Sequence, residues 1–326
     1  MTRLAALTVA AGMTLLGLIG VGTTAQAVVP EASGRIVFTR AICDSELLPC
    51  WEIVTANADD TNEMVIAGPY PRSVWDDHFI ANWSPDGNSV IFMARQKIWQ
   101  VNADGTGLHK VWTPPHDGTG MDDGPAFTPD GEHIVFTRCC PHPTGYALWM
   151  IDADGTNLKR ITQEVVPPGV DGPSDNVPQV SPNGKLIAYH RNVVTCSVPS
   201  DCGNRIVTVN IHGGHRIQLT DPALEAQVPN WSPDSRKIVF TIFPPDGTVN
   251  IAVVNADGSG FRQLTFDGVG RASVFPSYSP DGTKIIYTRI LPDGNRELFT
   301  MNSDGSNVQR LTRTAALERF AHWIAP

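Results

Sequence analysis

The chain has 326 residues, of which 17% are charged, and it contains 29 glycines and 26 prolines. This composition favours many short strands joined by turns and argues against a helical bundle or a disordered tail. The net charge is −9 and no basic stripe is present, which disfavours nucleic acid or an anionic membrane as a partner.

The N-terminus has the pattern of a secretory signal. Arg3 is the only charged residue before Glu31, and an apolar run covers Leu4–Val21. Ala25-Gln26-Ala27 then provides the small residues that a signal peptidase reads. We therefore predict a signal peptide at residues 1–27 and a single mature domain at residues 28–326. A retained membrane anchor is the alternative, since the run is near the minimum length for spanning. With cleavage, the protein is secreted or periplasmic and keeps no integral membrane segment.

Six cysteines follow the signal, and an even number in an exported protein predicts disulfides. They are Cys43, Cys50, Cys139, Cys140, Cys196 and Cys202. Short separations favour the pairs Cys43–Cys50 and Cys196–Cys202, although six cysteines allow 15 pairings and the sequence does not choose among them. The adjacent Cys139 and Cys140 allow a strained vicinal bridge. Metal binding is the alternative, but no paired C-x-x-C spacing is present.

One phrase recurs along the chain: an aromatic or apolar residue, Ser or Thr, Pro, Asp or Asn, and usually Gly. Its copies begin at Trp83, Phe127, Val180, Trp231 and Tyr278, in steps of 44, 53, 51 and 47 residues. An apolar strand follows each copy, for example Val90-Ile91-Phe92 or Ile238-Val239-Phe240. A period of this length with several short strands inside it is typical of a β-propeller.

Each repeat continues with a third strand, a turn and a fourth strand. Lys97–Val101 and Glu297–Met301 are predicted third strands, and Phe261–Thr265 and Val308–Thr312 are predicted fourth strands. Asp-Gly turns join them, because glycine takes a positive φ at little cost. These turns are Asn102–Gly105, Asp152–Gly155, Asn255–Gly258 and Asn302–Gly305. Four antiparallel strands of this kind form one blade.

The two ends of the chain complete the count. Ile36–Arg40 reads as a second strand with no first strand before it, whereas Ala321–Pro326 reads as a first strand with no second. We therefore predict an all-β, six-bladed β-propeller of four-stranded antiparallel blades. Its ring is closed by pairing the C-terminal strand with the N-terminal strands.

The phrases Trp83–Gly87, Ile134-Val135-Phe136 and Asn102–Leu108 resemble the TolB-like β-propeller repeat. The resemblance covers essentially the whole mature chain and implies the propeller fold. The TolB protein has a separate N-terminal domain, whereas here the repeats start directly after the signal. The resemblance therefore implies an isolated, secreted propeller, and TolB's role in envelope complexes hints at a binding function.

The first strands of a propeller line its central channel, so the residues ahead of each leading aromatic are expected at the channel mouth. From these positions we select as ligand-binding candidates His78, Asp122, Asp123, Asp175, Asn176, Glu318, Arg319 and His322. His78, Asp122 and Asp175 could hold a divalent cation, the one cofactor that the sequence suggests. The alternative is a mouth that is polar only because the channel is hydrated.

Catalytic signatures are missing from the sequence: there is no Gly-x-Ser-x-Gly, no His-Glu-x-x-His and no phosphate loop. We therefore predict no catalytic residue. The expected function is that of a monomeric, non-catalytic binding scaffold for a protein, peptide or glycan of the cell envelope or extracellular space. The alternative is a metal-dependent carbohydrate-active enzyme, a polysaccharide lyase or hydrolase, with its site at the channel mouth and Glu318 as a base.

Overall fold

A computed structural model describes residues 34–42, 50–71, 80–111, 121–139, 146–163, 172–196 and 201–325. They form 24 β-strands and one short 3-10 helix, Pro222–Leu224. The strands make six antiparallel sheets of four strands each. In this part of the chain, no helix has the length and apolar character needed to cross a membrane.

The six blades are numbered along the chain. Blade 1 contains β24 (Leu317–Ile324), β1 (Arg35–Ala41), β2 (Cys50–Asn57) and β3 (Met64–Pro71). Blade 2 contains β4 (Ala81–Trp83), β5 (Ser89–Ala94), β6 (Lys97–Asn102) and β7 (His109–Lys110). Blade 3 contains β8 (Asp122–Phe127), β9 (His133–Cys139), β10 (Tyr146–Asp152) and β11 (Lys159–Arg160). Blade 4 contains β12 (Ser174–Val180), β13 (Leu186–Val193), β14 (Gly203–Asn210) and β15 (Ile217–Gln218). Blade 5 contains β16 (Gln227–Trp231), β17 (Lys237–Ile242), β18 (Asn250–Asn255) and β19 (Arg262–Gln263). Blade 6 contains β20 (Ala272–Tyr278), β21 (Lys284–Ile290), β22 (Arg296–Asn302) and β23 (Gln309–Arg310).

The ring closes in blade 1, where the last strand of the chain pairs with the first. Trp323 of β24 lies opposite Ile36 of β1, and Glu318 lies opposite Arg40. The first strands of successive blades contact one another all the way round, from β4 through β8, β12, β16 and β20 to β24 and back to β4. The predicted six-bladed propeller and its closure by the C-terminal strand are confirmed.

The strand bounds differ from the prediction at two places. β24 begins at Leu317, four residues before the predicted start at Ala321. In blades 2–6 the fourth strands are only two residues long, so that β19 covers Arg262–Gln263 of the predicted Phe261–Thr265, whereas β3 of blade 1 has eight residues.

The hydrophobic core lies mainly between blades. Six clusters of buried apolar side chains each join two neighbouring blades. In β17, Ile238 and Phe240 belong to the cluster shared with blade 4, whereas Val239 belongs to the cluster shared with blade 6. Successive side chains of a strand point to opposite faces. The continuous apolar triplets of the sequence therefore arise because both faces of the second strand are buried.

Candidate functional site

The central channel is shaped by an irregularity repeated in the first strands. In β8 the pairing skips from Asp123 opposite Thr137 to Ala126 opposite Val135, and β12, β16 and β20 show the same skip. The skipped residue has a positive φ: Gly124 (55°), Val177 (50°), Val228 (53°), Phe275 (58°), and Phe320 (57°) in β24. Such bulges re-aim a side chain out of the regular alternation.

Four of these re-aimed residues, together with Ile80 at the equivalent position of blade 2, build an apolar collar inside the channel. Ile80, Val177 and Phe320 form a buried cluster, and Val228 and Phe275 pack against it. The rings of Phe275 and Phe320 stack with their centroids 3.9 Å apart. Strand residues before the collar line one cavity, the mouth cavity, whereas residues after it line a second cavity. The collar therefore divides the channel into two separate sites.

The mouth cavity measures about 610 Å³ and is rich in side-chain amides. The amides that line it are Gln96, Asn176, Asn192, Asn204 and Gln227. Tyr146, Phe243 and Phe275 add aromatic surface. Amides both donate and accept hydrogen bonds. The lining therefore suits a ligand that is polar over part of its surface and apolar over the rest.

Two of the predicted ligand carboxylates lie at this mouth in buried ion pairs. Nε and Nη2 of Arg138 donate to the two oxygens of Asp122 at 2.7 and 2.9 Å. Asp175 accepts a hydrogen bond of 3.0 Å from Nη1 of Arg191. Burial raises the pKa of the Asp122 carboxyl, and the Arg138 guanidinium opposes that rise. Each carboxylate therefore already has a cation of the protein beside it.

The same arrangement recurs around the ring with variations. Glu318 is fully buried, and its Oε1 accepts hydrogen bonds from Nε and Nη2 of Arg40 at 3.1 and 3.0 Å. Burial raises the pKa of the Glu318 carboxyl. In blade 6, Asp267 takes this role and binds Arg289. In blades 1, 3 and 4, the acid five residues before the leading residue of the repeat thus forms an ion pair with an arginine of the second strand, whereas in blade 6 the acid comes from the loop before β20.

Blade 5 lacks the pair. In blade 3, the pair of Asp122 and Arg138 lies next to the strand pair Asp123–Thr137. In blade 5, the residues next to the corresponding pair, Gln227–Thr241, are Ala226 and Ile242. Both side chains are buried. An apolar pair can therefore fill this position in the same propeller.

Of the remaining candidates, two line the mouth cavity, one lines the second cavity, and Arg319 is among the lining residues of neither. Asp123 and Asn176 line the mouth cavity; Asp123 accepts a hydrogen bond of 2.7 Å from the Gly124 N–H, and Asn176 donates one of 3.1 Å to the Ser174 carbonyl. The Arg319 guanidinium lies 3.9 Å from the centroid of the Trp51 ring. His322 lines the second cavity rather than the mouth.

The proposed metal ligands stay a prediction, because His78 lies outside the described residues. Within the described ranges, one group of three potential ligand residues brings its ligand atoms within 4.8 Å of one another, namely Asp130, Glu132 and His133. These residues belong to the turn between β8 and β9 and its edge and line neither cavity. Asp130 there accepts hydrogen bonds from the Thr128 hydroxyl at 2.5 Å and the Glu132 N–H at 3.0 Å.

The predicted disulfide between Cys196 and Cys202 is confirmed, with a Cα–Cα distance of 5.6 Å. It closes the loop between β13 and β14, beside Asn192 and Val194 at the mouth. Cys50 is also disulfide-bonded. Cys43 and Cys140 lie outside the described residues, and the pairing of Cys139 stays a prediction.

Two groups of residues at the channel escaped the sequence analysis. Gln96, Tyr146, Asn192 and Asn204 come from the second and third strands and the turns between them, not from first strands. The collar position could be recognised in the sequence: it lies three residues before the leading residue of each repeat, and a proline follows three of the five collar residues, as in Val177-Pro178. The spacing of residues along the chain could therefore have identified the collar, whereas the amides come together only in the folded ring.

Comparisons with known proteins agree with this architecture. The chain is 28% identical over 172 residues to an uncharacterized protein of Agrobacterium fabrum, and the match covers 50% of this chain and 54% of that protein. The chain thus spans about half the length of this curated relative.

Two solved structures share the fold. TolB from Acinetobacter baumannii has a TM-score of 0.69 at 19% identity, covering 91% of this chain and 68% of that one. An oligogalacturonate lyase in complex with manganese has a TM-score of 0.55 at 14% identity, covering 82% and 74%. At these identities the likeness shows the fold alone. The model of the TolB β-propeller domain matches residues 140–325, more than half of the sequence, and the chain therefore belongs to the TolB β-propeller domain family.

Proposed function

We propose that the protein is a secreted, non-catalytic binding scaffold that receives a protein or peptide segment at the mouth cavity. The observation that carries this proposal is the amide-rich lining beside carboxylates that are compensated by arginines. A peptide backbone offers alternating N–H and C=O groups, which side-chain amides can satisfy in both directions. The cavity volume of about 610 Å³ lies within the range typical of ligand sites.

Exposed apolar residues on the mouth face support a protein partner. Phe266 and Val269 are 80% and 81% exposed in the loop before β20, and Val194 is 63% exposed beside the mouth cavity. Asp267 holds the first of these loops in place: it is buried, and its N–H donates to Asn250 Oδ1 at 2.7 Å. Rigidly presented aromatic and aliphatic side chains of this kind are typical anchors of protein interfaces.

The alternative, a metal-dependent carbohydrate-active enzyme, has less support. A divalent cation bound by Asp122 and Asp175 would have to displace Arg138 and Arg191 from buried, charge-assisted hydrogen bonds. Such displacement leaves an arginine without its partner in a buried place, which is costly.

A peptide selection tests the proposal. We expect a phage-displayed library of random peptides to yield binders of the purified protein. Their affinity should fall about tenfold or more in the variant Asn176→Ala/Gln227→Ala, because each lost hydrogen bond is worth about 1 kcal/mol. Phe266→Ala should weaken capture of peptides that carry an apolar residue.

Lys185→Ala, on an exposed turn at the opposite face, is the matched control and should bind like the parent protein. Peptides that bind all variants equally would contradict a site at the mouth. Stoichiometric divalent metal in the purified protein, together with cleavage of a polysaccharide that stops on chelation, would favour the enzyme.

Export is part of the same proposal. It is supported by the apolar run that ends at Ala25-Gln26-Ala27 and by the disulfide between Cys196 and Cys202, since disulfides persist in oxidising compartments. Mass spectrometry of the exported protein should find Val28 at its N-terminus. An intact N-terminus in the exported fraction would contradict cleavage.

A further inference from the structure

The second cavity lies beyond the collar, at the face that carries the Ser-Pro-Asp turns. It measures about 330 Å³. Trp83, Trp231, Tyr278 and Trp323, together with prolines of the turns, form its apolar wall. These residues come from four different blades, so the cavity exists only in the closed ring.

A ring of polar side chains lies just inside this wall, one residue before each aromatic. Two of its amides are used by the fold: Asn82 Nδ2 donates to the Pro125 carbonyl at 2.7 Å, and Asn230 Oδ1 accepts from the Tyr278 N–H at 3.1 Å. Three others line the cavity without such a role, namely Gln179, Ser277 and His322.

Gln179 is the most informative of the three. It is only 8% exposed, yet its side-chain amide makes no hydrogen bond to any residue that the structure describes. The Ser277 hydroxyl and the His322 ring likewise have no hydrogen-bond partner among the described residues. The polar atoms of these three side chains open onto the cavity, so that only the contents of the cavity can complete their hydrogen bonds. Three such groups directed into one cavity therefore call for a ligand or for water.

The charge of the cavity restricts what that ligand can be. None of the described residues that line it is Asp, Glu, Lys or Arg. The aspartates of the adjoining turns accept hydrogen bonds within their own turns, as Asp234 does from the Ser232 hydroxyl at 2.6 Å. His322 is neutral at physiological pH, since burial lowers its pKa to about 4. A charged ligand would lose its hydration here and find no counter-charge among the described lining residues. The Arg35 guanidinium lies behind the lining, stacked over the Trp83 ring at 4.6 Å from its centroid.

A purely apolar ligand fits no better, because it would displace water from Gln179, Ser277 and His322 and leave them unpaired. We propose that the second cavity binds a small, neutral, hydroxyl-rich molecule of the size of one sugar ring. Its hydroxyls donate to and accept from the three polar side chains, and its C–H surface packs on the tryptophans and prolines. This site is independent of the mouth cavity and of the function proposed for it.

Calorimetric titration with single sugars tests the site. The probes are glucose and N-acetylglucosamine, which are neutral, glucuronate, which is anionic, and glucosamine, which is cationic. We expect a neutral sugar to bind with a Kd in the millimolar range or tighter and both charged sugars to bind at least tenfold more weakly. The double variant Gln179→Ala/Ser277→Ala should lose at least tenfold in affinity for the neutral sugar.

Gln227→Ala removes a comparable amide on the mouth side of the collar and should leave sugar binding unchanged. Thermal melts of each variant show that it is folded, and Ser277→Ala alone is the milder change if the double variant is unstable. The inference is overturned if no neutral sugar binds at 100 mM, if the cavity variants bind as the parent does, or if a charged sugar binds as tightly. The first outcome would mean that the cavity holds water only.

Discussion

The two ends of the channel handle polar groups in opposite ways. At the mouth, the chain places carboxylates and neutralises them internally, as Arg138 does for Asp122 and Arg191 for Asp175. In the second cavity, the described lining residues include no acid and no basic residue other than His322, and Gln179, Ser277 and His322 have no hydrogen-bond partner for their side chains among the described residues. The same first strands supply both ends, with the collar between them. A propeller can therefore build two chemically different sites from one strand pattern, because the bulge changes which side chains enter the channel.

The largest expected effect concerns the strand that closes the ring at the second cavity. Trp323 is buried in the cluster between blades 1 and 6. Trp323→Ala should lower the free energy of unfolding by about 3–5 kcal/mol, since it removes a buried indole and leaves a cavity. Chemical denaturation measures this loss.

Trp149→Ala is the matched control, because Trp149 is only half-buried at the edge of the cluster between blades 2 and 3. It should cost clearly less than Trp323→Ala. Equal losses at the two positions, or an unchanged midpoint for Trp323→Ala, would mean that packing of the closing strand contributes little to stability.

The next effect tests how much the ion pairs at the mouth contribute to the free energy of unfolding. Arg138→Ile leaves Asp122 buried without its cation and should cost about 3–5 kcal/mol. Adding Asp122→Ala creates the pair that blade 5 already has in Ala226 and Ile242, so the double variant should recover most of the loss.

Urea denaturation at neutral pH compares the parent, the two single variants and the double variant. Recovery in the double variant would show that the arginine serves to compensate the acid. If the double variant is as unstable as Arg138→Ile, the guanidinium has another structural role, such as its packing 5.5 Å above the Phe136 ring.

The smallest effect concerns the pH dependence of stability that His322 of the second cavity should cause. Burial lowers the pKa of His322 to about 4 in the folded protein, from about 6.5 in the unfolded chain. The unfolded chain therefore binds the proton more readily, and stability should fall as pH drops from 6.5 to 4. The contribution is on the order of 1–3 kcal/mol.

His322→Gln gives blade 1 the residue that blade 4 has at the equivalent position, Gln179. The difference in stability between this variant and the parent should change over that pH range and level off above pH 7. Burial raises the pKa values of Asp122 and Glu318, so these groups change the stability in the opposite direction as pH falls. Both proteins contain them, and their contributions therefore cancel in the difference between the variant and the parent. A difference that is constant with pH would show that His322 does not titrate in this way.

The sequence by itself determined the fold of this protein. Leading aromatics at regular steps, apolar triplets and Asp-Gly turns are local signals, and each of them fixes a strand or a turn without reference to the rest of the chain. Even the ring closure was readable, since Trp323 opens a repeat that Ile36-Val37-Phe38 continues. The short loop from Cys196 to Cys202 was local as well.

Only the tertiary structure decided what the channel residues do. Asp122 and Asp175 read as free acids in the sequence because their arginines lie 16 residues further along, on a neighbouring strand. His322 was grouped with them, but the bulge at Phe320 lies between it and Glu318 and sends the two side chains to opposite sides of the collar. Of the five mouth amides, Gln96, Asn192 and Asn204 come from second and third strands and the turns between them, whereas Asn176 and Gln227 come from first strands. Their meeting depends on how the blades are arranged around the axis, which no local spacing along the chain specifies.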